Sequence, residues 1–345
     1  MNAGRPSAQN QGPQTPGFCP RPQWKSALCV SSGDLICTAS PTASQRENHR
    51  CIAKKRGGAT KRRSKVSMLA AMHANLFALG AIALWATLAS LSVLLTHLPP
   101  FLLTGIALLI GSSPSWPLCR QWKMAPGTLA LGIYGLFGFH FLLFMALRHA
   151  PPVEANLVNY LWPLFMVVLA PLFLAGVQLR AVHVVAALLG FAGAAVAILG
   201  ARSGAAGDWS WGFVPALASA FIWASYSLLT QRVKPFPTAA IGLFGLVSGL
   251  LSLLCHWALE PAVAISSHDW LLLAVMGLGP LGGAFFLWDK ALKRGDARQI
   301  GVLSYLTPLG STALLMLVSS RPLSWSIGLA AVMIIGAAVL GTRTR

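Results

Sequence analysis

Residues 138–164 and residues 283–309 carry the same segment twice, 145 positions apart and without a gap. Gly138, Phe141, Leu142, Ala146, Leu147, Tyr160, Leu161, Pro163 and Leu164 fall on Gly283, Phe286, Leu287, Ala291, Leu292, Tyr305, Leu306, Pro308 and Leu309. That is nine identities in 27 pairs, and Arg148 also meets Lys293. A shared apolar bias does not place a Tyr-Leu-x-Pro-Leu string twice in one register. Both copies lie among long apolar segments. An internal repeat in that setting points to a carrier, whose halves rock against each other around a shared site.

Composition supports the membrane setting. The chain is 55% hydrophobic, and 8 acidic residues among 345 are too few to clothe a soluble surface of that size. Residues 1–70 differ in kind. They hold 12 of the 26 Lys and Arg, are rich in Ser, Pro and Gln, and have no apolar run long enough to bury. A disordered basic tail is expected there. Met68 and Met72, just before the first apolar run, offer an alternative start, in which case the tail is dispensable. Cys19, Cys29, Cys37 and Cys51 in the tail have neither Cys-x-x-Cys nor Cys/His spacing, so no zinc module is expected.

Ten apolar segments follow, roughly 74–95, 98–112, 127–147, 153–173, 182–201, 211–231, 238–259, 269–289, 297–318 and 325–342. With the N-terminus in the cytoplasm, the inner loops and C-terminus hold 11 Lys and Arg beyond the tail, against 3 outside (Arg148, Arg202 and Arg321). That split predicts both termini in the cytoplasm. Five spans per half is an odd number, so the second half enters upside down. Arg148 then lies outside and its partner Lys293 inside. Trp85-Ala86 and Trp223-Ala224 pair the first span with the sixth, and Gly193-Ala-Ala-Val and Gly336-Ala-Ala-Val pair the fifth with the tenth. The expected fold is all-α: ten transmembrane helices as a 5+5 inverted-topology repeat around a central cavity, with halves at 74–201 and 211–342.

These residues resemble a known family. The ten spans, the inverted repeat, the early Trp85 and the string Glu154-Ala-Asn-Leu-Val-Asn-Tyr-Leu-Trp-Pro-Leu164 are similar to the drug/metabolite transporter superfamily. Its EamA-type ten-helix branch is nearest, and within it the aromatic amino acid exporters. The resemblance covers about 74–342. It implies export of amino acids, aromatic ones among them, through a cavity between the halves in a bacterial inner membrane. It also admits sugars or organic cations as alternative cargo.

The residues themselves nominate a site. Polar groups facing lipid are costly, so those deep in spans should face inward. Asn156, Tyr160 and Pro163 fall at i, i+4 and i+7 in span four, with Asn159 beside them. Pro163 and Pro308 should free the carbonyls of Asn159 and Ser304, or simply bend their helices. Trp85 and Trp223 stand at matching depths and suit stacking or cation–π contact, or helix packing. His140 is the histidine deep in a span, able to bond a solute or a backbone carbonyl. Substrate contact is therefore expected at Trp85, His140, Asn156, Tyr160 and Trp223, with Glu154, Asn159, Tyr226 and Tyr305 at a gate or rim. Asp289 and Lys293 should pair at i, i+4.

No Gly-x-Ser-x-Gly elbow, paired carboxylates at helical spacing or His/Glu metal pattern is visible. An intramembrane enzyme is thus the weaker alternative, and a receptor or scaffold has little use for a symmetrical aromatic core. No cofactor, metal or nucleic acid is expected. The partners are a small-molecule solute and the bilayer, and no oligomer is required.

Overall fold

The computed structural model describes residues 72–200, 210–318 and 325–342. The tail and the candidate start Met68 lie outside the described residues, and the other candidate start, Met72, opens the first helix. Within these, every regular element is helical.

In chain order the helices are α1 (Met72–Leu94), α2 (Pro100–Ser112, continued by a 3₁₀ segment Ser113–Gln121), α3 (Pro126–His149), α4 (Pro152–Phe173) and α5 (Ala181–Gly200). Then come α6 (Phe213–Leu229), α7 (Thr238–Leu259), α8 (Ser267–Leu292), α9 (Ala297–Leu303 and Leu306–Val318) and α10 (Trp325–Thr342). Seven of them, α1–α5, α7 and α8, are long and apolar enough to cross a membrane. Helices α6 and α10 are shorter apolar helices.

Local chemistry explains the starts. Pro100, Pro126 and Pro152 open α2, α3 and α4, where a missing N–H costs nothing. Ser266 and Asp269 form a reciprocal capping box at α8. The N-terminus of α2 is capped from afar. The Glu260 carboxylate, at the end of α7, accepts from the N–H of Phe101 at 3.0 Å and of Leu102 at 3.2 Å.

Two irregularities recur at the repeat distance. A π-helical turn interrupts α3 at Tyr134–Gly138 and α8 at Gly279–Gly283, 145 residues on. Helix α4 breaks at Tyr160–Leu161, and α9 breaks at Ser304–Tyr305. The Ser304 carbonyl, expected to be freed by Pro308, instead accepts from the Thr307 N–H at 2.9 Å. A tightened 3₁₀ turn takes up the acceptor that the proline leaves.

Helix α2 packs along α7, and α5 along α10. The α2–α7 contact is close because Gly105 and Gly249 face each other. A Cβ on Gly249 would stand 2.9 Å from the Gly105 carbonyl oxygen. The core between the helices is large and aromatic. Trp288, Tyr305, Phe101 and Phe244 are its bulkiest fully buried side chains.

Candidate functional site

A cavity of about 390 Å³ opens between α1 and α2 on one side and α3 and α4 on the other. Along α1 its wall runs from Trp85 through Leu88 to Ser92; Leu95, Thr96 and Leu98 of the turn that follows and Pro100, Leu103 and Thr104 of α2 continue it. Phe139, His140, Leu143, Phe144 and Leu147 of α3 face them. Asn156, Asn159, Tyr160 and Trp162 of α4 complete that side, and Trp223, Leu281, Phe285 and Thr307 close the deep end. The cavity therefore reaches the Pro100 end of the bundle. Toward the opposite end the space is filled by buried Trp288, Met166, Ile300 and Leu292.

All five residues expected to touch substrate line this one cavity, with Asn159 among them. The break at Tyr160–Leu161 explains how four close neighbours of α4 share a cavity. A continuous helix would turn Trp162 away from Asn156. The same break turns Pro163 away, and it is buried in the core. Tyr226 and Tyr305 are not at the rim. They are 3% and 0% exposed, with Tyr226 packed on Gly135 and Tyr305 on Gly190, and neither lines the cavity. Their large rings fill the notches that glycine leaves between helices. Glu154 also stands off the cavity, half-buried in the first turn of α4.

The deep end is a cluster of rings. Trp85 and Trp223 meet edge to face at 5.8 Å, and Phe139 and Phe285 lie 5.3 and 5.7 Å from Trp223. Trp288 sits behind them, 5.1 Å from Trp85 and 5.7 Å from Trp162. Hydrogen bonds pin these rings. Trp85 Nε1 donates to the Pro280 carbonyl at 3.1 Å, within the π-helical turn of α8, and Trp288 Nε1 donates to Ser227 Oγ at 3.1 Å. An indole N–H without such a partner would be costly here.

The polar groups are equally held. His140 Nδ1 lies 2.6 Å from the Leu136 carbonyl, again in a π-helical turn. A carbonyl can only accept, so Nδ1 carries the proton and Nε2 is the remaining acceptor. Asn159 Oδ1 accepts from Ser219 Oγ at 2.9 Å. Among the described residues, no carboxylate, Lys or Arg lines the cavity, and no cluster of His, Cys, Asp and Glu could hold a metal ion. The arrangement offers ring faces and neutral hydrogen-bonding groups to a solute, and no nucleophile paired with a base.

Phe139, Phe285, Trp162 and Trp288 are contributors not singled out by sequence reasoning. Phe285 was legible, since the repeat aligns it with His140. Trp162 lies within the span-four string, and Trp288 has only Leu143 as its repeat partner, so neither carried a signal.

Comparison with known proteins follows the same lines. The family model described as the EamA-like transporter family matches this chain twice, over residues 72–199 and 210–343. The chain belongs to the EamA-like transporter family. It is accordingly a membrane transporter. It is 41% identical over 281 residues to the protein named aromatic amino acid exporter YddG of Ancylobacter novellus, covering 78% of this chain and 96% of that one. A protein of the same name from Escherichia coli K12 is 29% identical over 77% of this chain and 96% of its own. A solved crystal structure matches at 40% identity with a TM-score of 0.74, over 79% of this chain and 97% of that one.

Proposed function

We propose that this transporter exports aromatic and other amphipathic amino acids across a bacterial inner membrane. It works by alternating access between two inverted five-helix halves, residues 74–201 and 211–342. The observation that carries the solute class is the cavity wall. Ring faces of Trp85, Trp223, Phe139 and Phe285 suit a flat apolar side chain. The neutral groups of His140, Asn156 and Tyr160 suit an ammonium and a carboxylate that cancel each other's charge. A lone charge would find no counter-charge there and would keep its desolvation cost. The volume falls within the range of small-molecule pockets. The names of the relatives from Ancylobacter novellus and Escherichia coli favour the same cargo.

Support for the inverted halves comes from recurrence at 145 residues of the π-helical turns, and from the near recurrence of the helix breaks. The packing of α2 on α7 and of α5 on α10 supports the same reading, since a two-fold axis between the halves would bring such helix pairs together. The excess of Lys and Arg at the Lys293 end favours that end as cytoplasmic, which makes the Pro100 end extracytoplasmic.

The test is countertransport in vesicles holding the purified full chain. Labelled phenylalanine, tryptophan and leucine should exchange against unlabelled amino acids. A sugar and a quaternary ammonium ion should exchange at least ten times more slowly. Equal or faster exchange of the sugar or the cation would overturn the reading.

A further inference from the structure

The two repeats are packed differently: among the described residues, side-chain hydrogen bonds join α8 to α6 at the Lys293 end, where the twin positions at the Pro100 end are apolar. At the Lys293 end, α8 is joined to α6 and to the corner leading into α7. Trp288 Nε1 donates to Ser227 Oγ at 3.1 Å, and Gln231 Nε2 donates to the Leu292 carbonyl at 3.0 Å. Thr238 Oγ1 donates to Asp289 at 2.6 Å, and Lys293 Nζ donates to the Phe236 carbonyl at 2.8 Å while pairing with Asp289.

The repeat positions of this seam define its counterpart at the Pro100 end. Stepping back 145 residues along α8 and 138 along α6 and α7 gives Leu143, Leu147 and Arg148 facing Ala89, Val93 and Leu98. Leu143, Leu147 and Leu98 line the open cavity. Of their partners, Trp288 and Leu292 are 1% and 4% exposed where Leu143 and Leu147 are half-buried, while Phe236 at 7% and Leu98 at 4% are both buried. One seam is therefore closed where its repeat twin stands apart. The polar side chains that close it, Ser227, Gln231 and Trp288, are Ala89, Val93 and Leu143 in the twin. Those apolar residues can touch on closure but can make no such bonds. Arg148, the twin of Lys293, is turned to Glu260 at 2.8 Å.

We propose that the Ser227–Gln231–Trp288–Lys293 seam is the gate at the predicted cytoplasmic end, and that its hydrogen bonds bias the solute-free transporter toward the state open at the Pro100 end. The inference rests on the alternating-access reading. When access switches, the helices within each half move to the arrangement that the other half holds now, so α8 leaves α6 as α3 closes on α1. Opening the Lys293 end breaks these bonds, whereas opening the Pro100 end breaks none of their kind. A net hydrogen bond shifts such an equilibrium on the order of fivefold. The same seam then limits how often the cavity opens to load cargo from the cytoplasm.

Cysteine accessibility tests this without any solute. The full chain, with its six cysteines replaced by serine, carries either Leu147→Cys or Leu292→Cys in lipid nanodiscs, where both faces meet a polar maleimide. In the parent, the residue-147 cysteine should label fast and the residue-292 cysteine slowly. In Ser227→Ala/Gln231→Ala the ratio of the two rates should fall roughly 25-fold, two bonds at about fivefold each. Ser227→Thr, which keeps an acceptor for the indole, should label as the parent does. If the double variant does not survive purification, Gln231→Ala alone, at the end of α6, should lower the ratio about fivefold. A parent with the expected ratio and seam variants that keep it would overturn the gate while leaving alternating access intact. A parent in which the residue-292 cysteine labels faster would overturn the bias and the gate, and one in which both cysteines label equally fast with the cavity open at both ends would overturn alternating access as well.

Discussion

Trp85 and Trp223 stand 138 residues apart at matching positions of the repeat, and their rings meet edge to face at 5.8 Å with an interplanar angle of 78°. Each of the two segments that match the EamA-like family thus contributes one indole to a single ring cluster. Trp85→Ala and Trp223→Ala should each lower apparent affinity for phenylalanine ten- to a hundredfold, corresponding to about 1–3 kcal/mol. The double variant should lose less than the product of the two, because the two rings share an edge-to-face contact that either single variant already removes. Concentration-dependent exchange in vesicles measures this. Strict multiplicativity would mean that the rings act separately. Leu254→Ala, on an exposed face of α7, is the control and should leave exchange unchanged.

Glu260 joins three helices. Its fully buried carboxylate caps α2, pairs with Arg148 at 2.8 Å and meets His256 Nδ1 at 3.0 Å. Glu260→Ala leaves two backbone donors and a guanidinium without their acceptor, and should cost about 3–5 kcal/mol. Arg148→Ala should cost only about 1 kcal/mol, since that side chain is 34% exposed and the backbone donors stay capped. Thermal unfolding in detergent should therefore rank the parent above Arg148→Ala, and that variant well above Glu260→Ala.

Gly135 in the π-helical turn of α3 has the Tyr226 ring where a Cβ would stand. Gly135→Ala must displace that ring from beside Trp223, and a cost of about 1–3 kcal/mol is expected, with loss of transport. Gly127→Ala, with open space around the position, should be neutral or slightly stabilising. Yield and melting temperature of the two variants decide the point. Equal behaviour would mean that Tyr226 has room to move.

Topology gives the fourth expectation. A reporter active in the cytoplasm should work when fused after Arg345, and one active outside the cytoplasm should work near Val263, between α7 and α8. Cytoplasmic activity at both positions would refute ten crossings with both termini inside.

The membrane class, the repeat and the list of candidates for solute contact are properties of the sequence itself. An apolar run of this length has few other stable environments, and Trp85, His140, Asn156, Tyr160 and Trp223 are too polar or too large to be placed by lipid alone. Which of the candidates would meet in one cavity was a matter for the tertiary structure. Apolar helices that face lipid on one side and protein on the other show little contrast around their circumference, so periodicity could not separate Tyr160, on the cavity, from Tyr226 and Tyr305, in the core. Glu260 was illegible for another reason. Its meaning lies in the N–H groups of Phe101 and Leu102, 159 and 158 residues away, and no local pattern encodes such a pairing. The same holds for the end at which the cavity opens. Two repeats of one ancestral pattern predict two equivalent seams, and only the packed structure, with bonds made at Ser227 and Gln231 and space left at Leu143 and Leu147, breaks that symmetry.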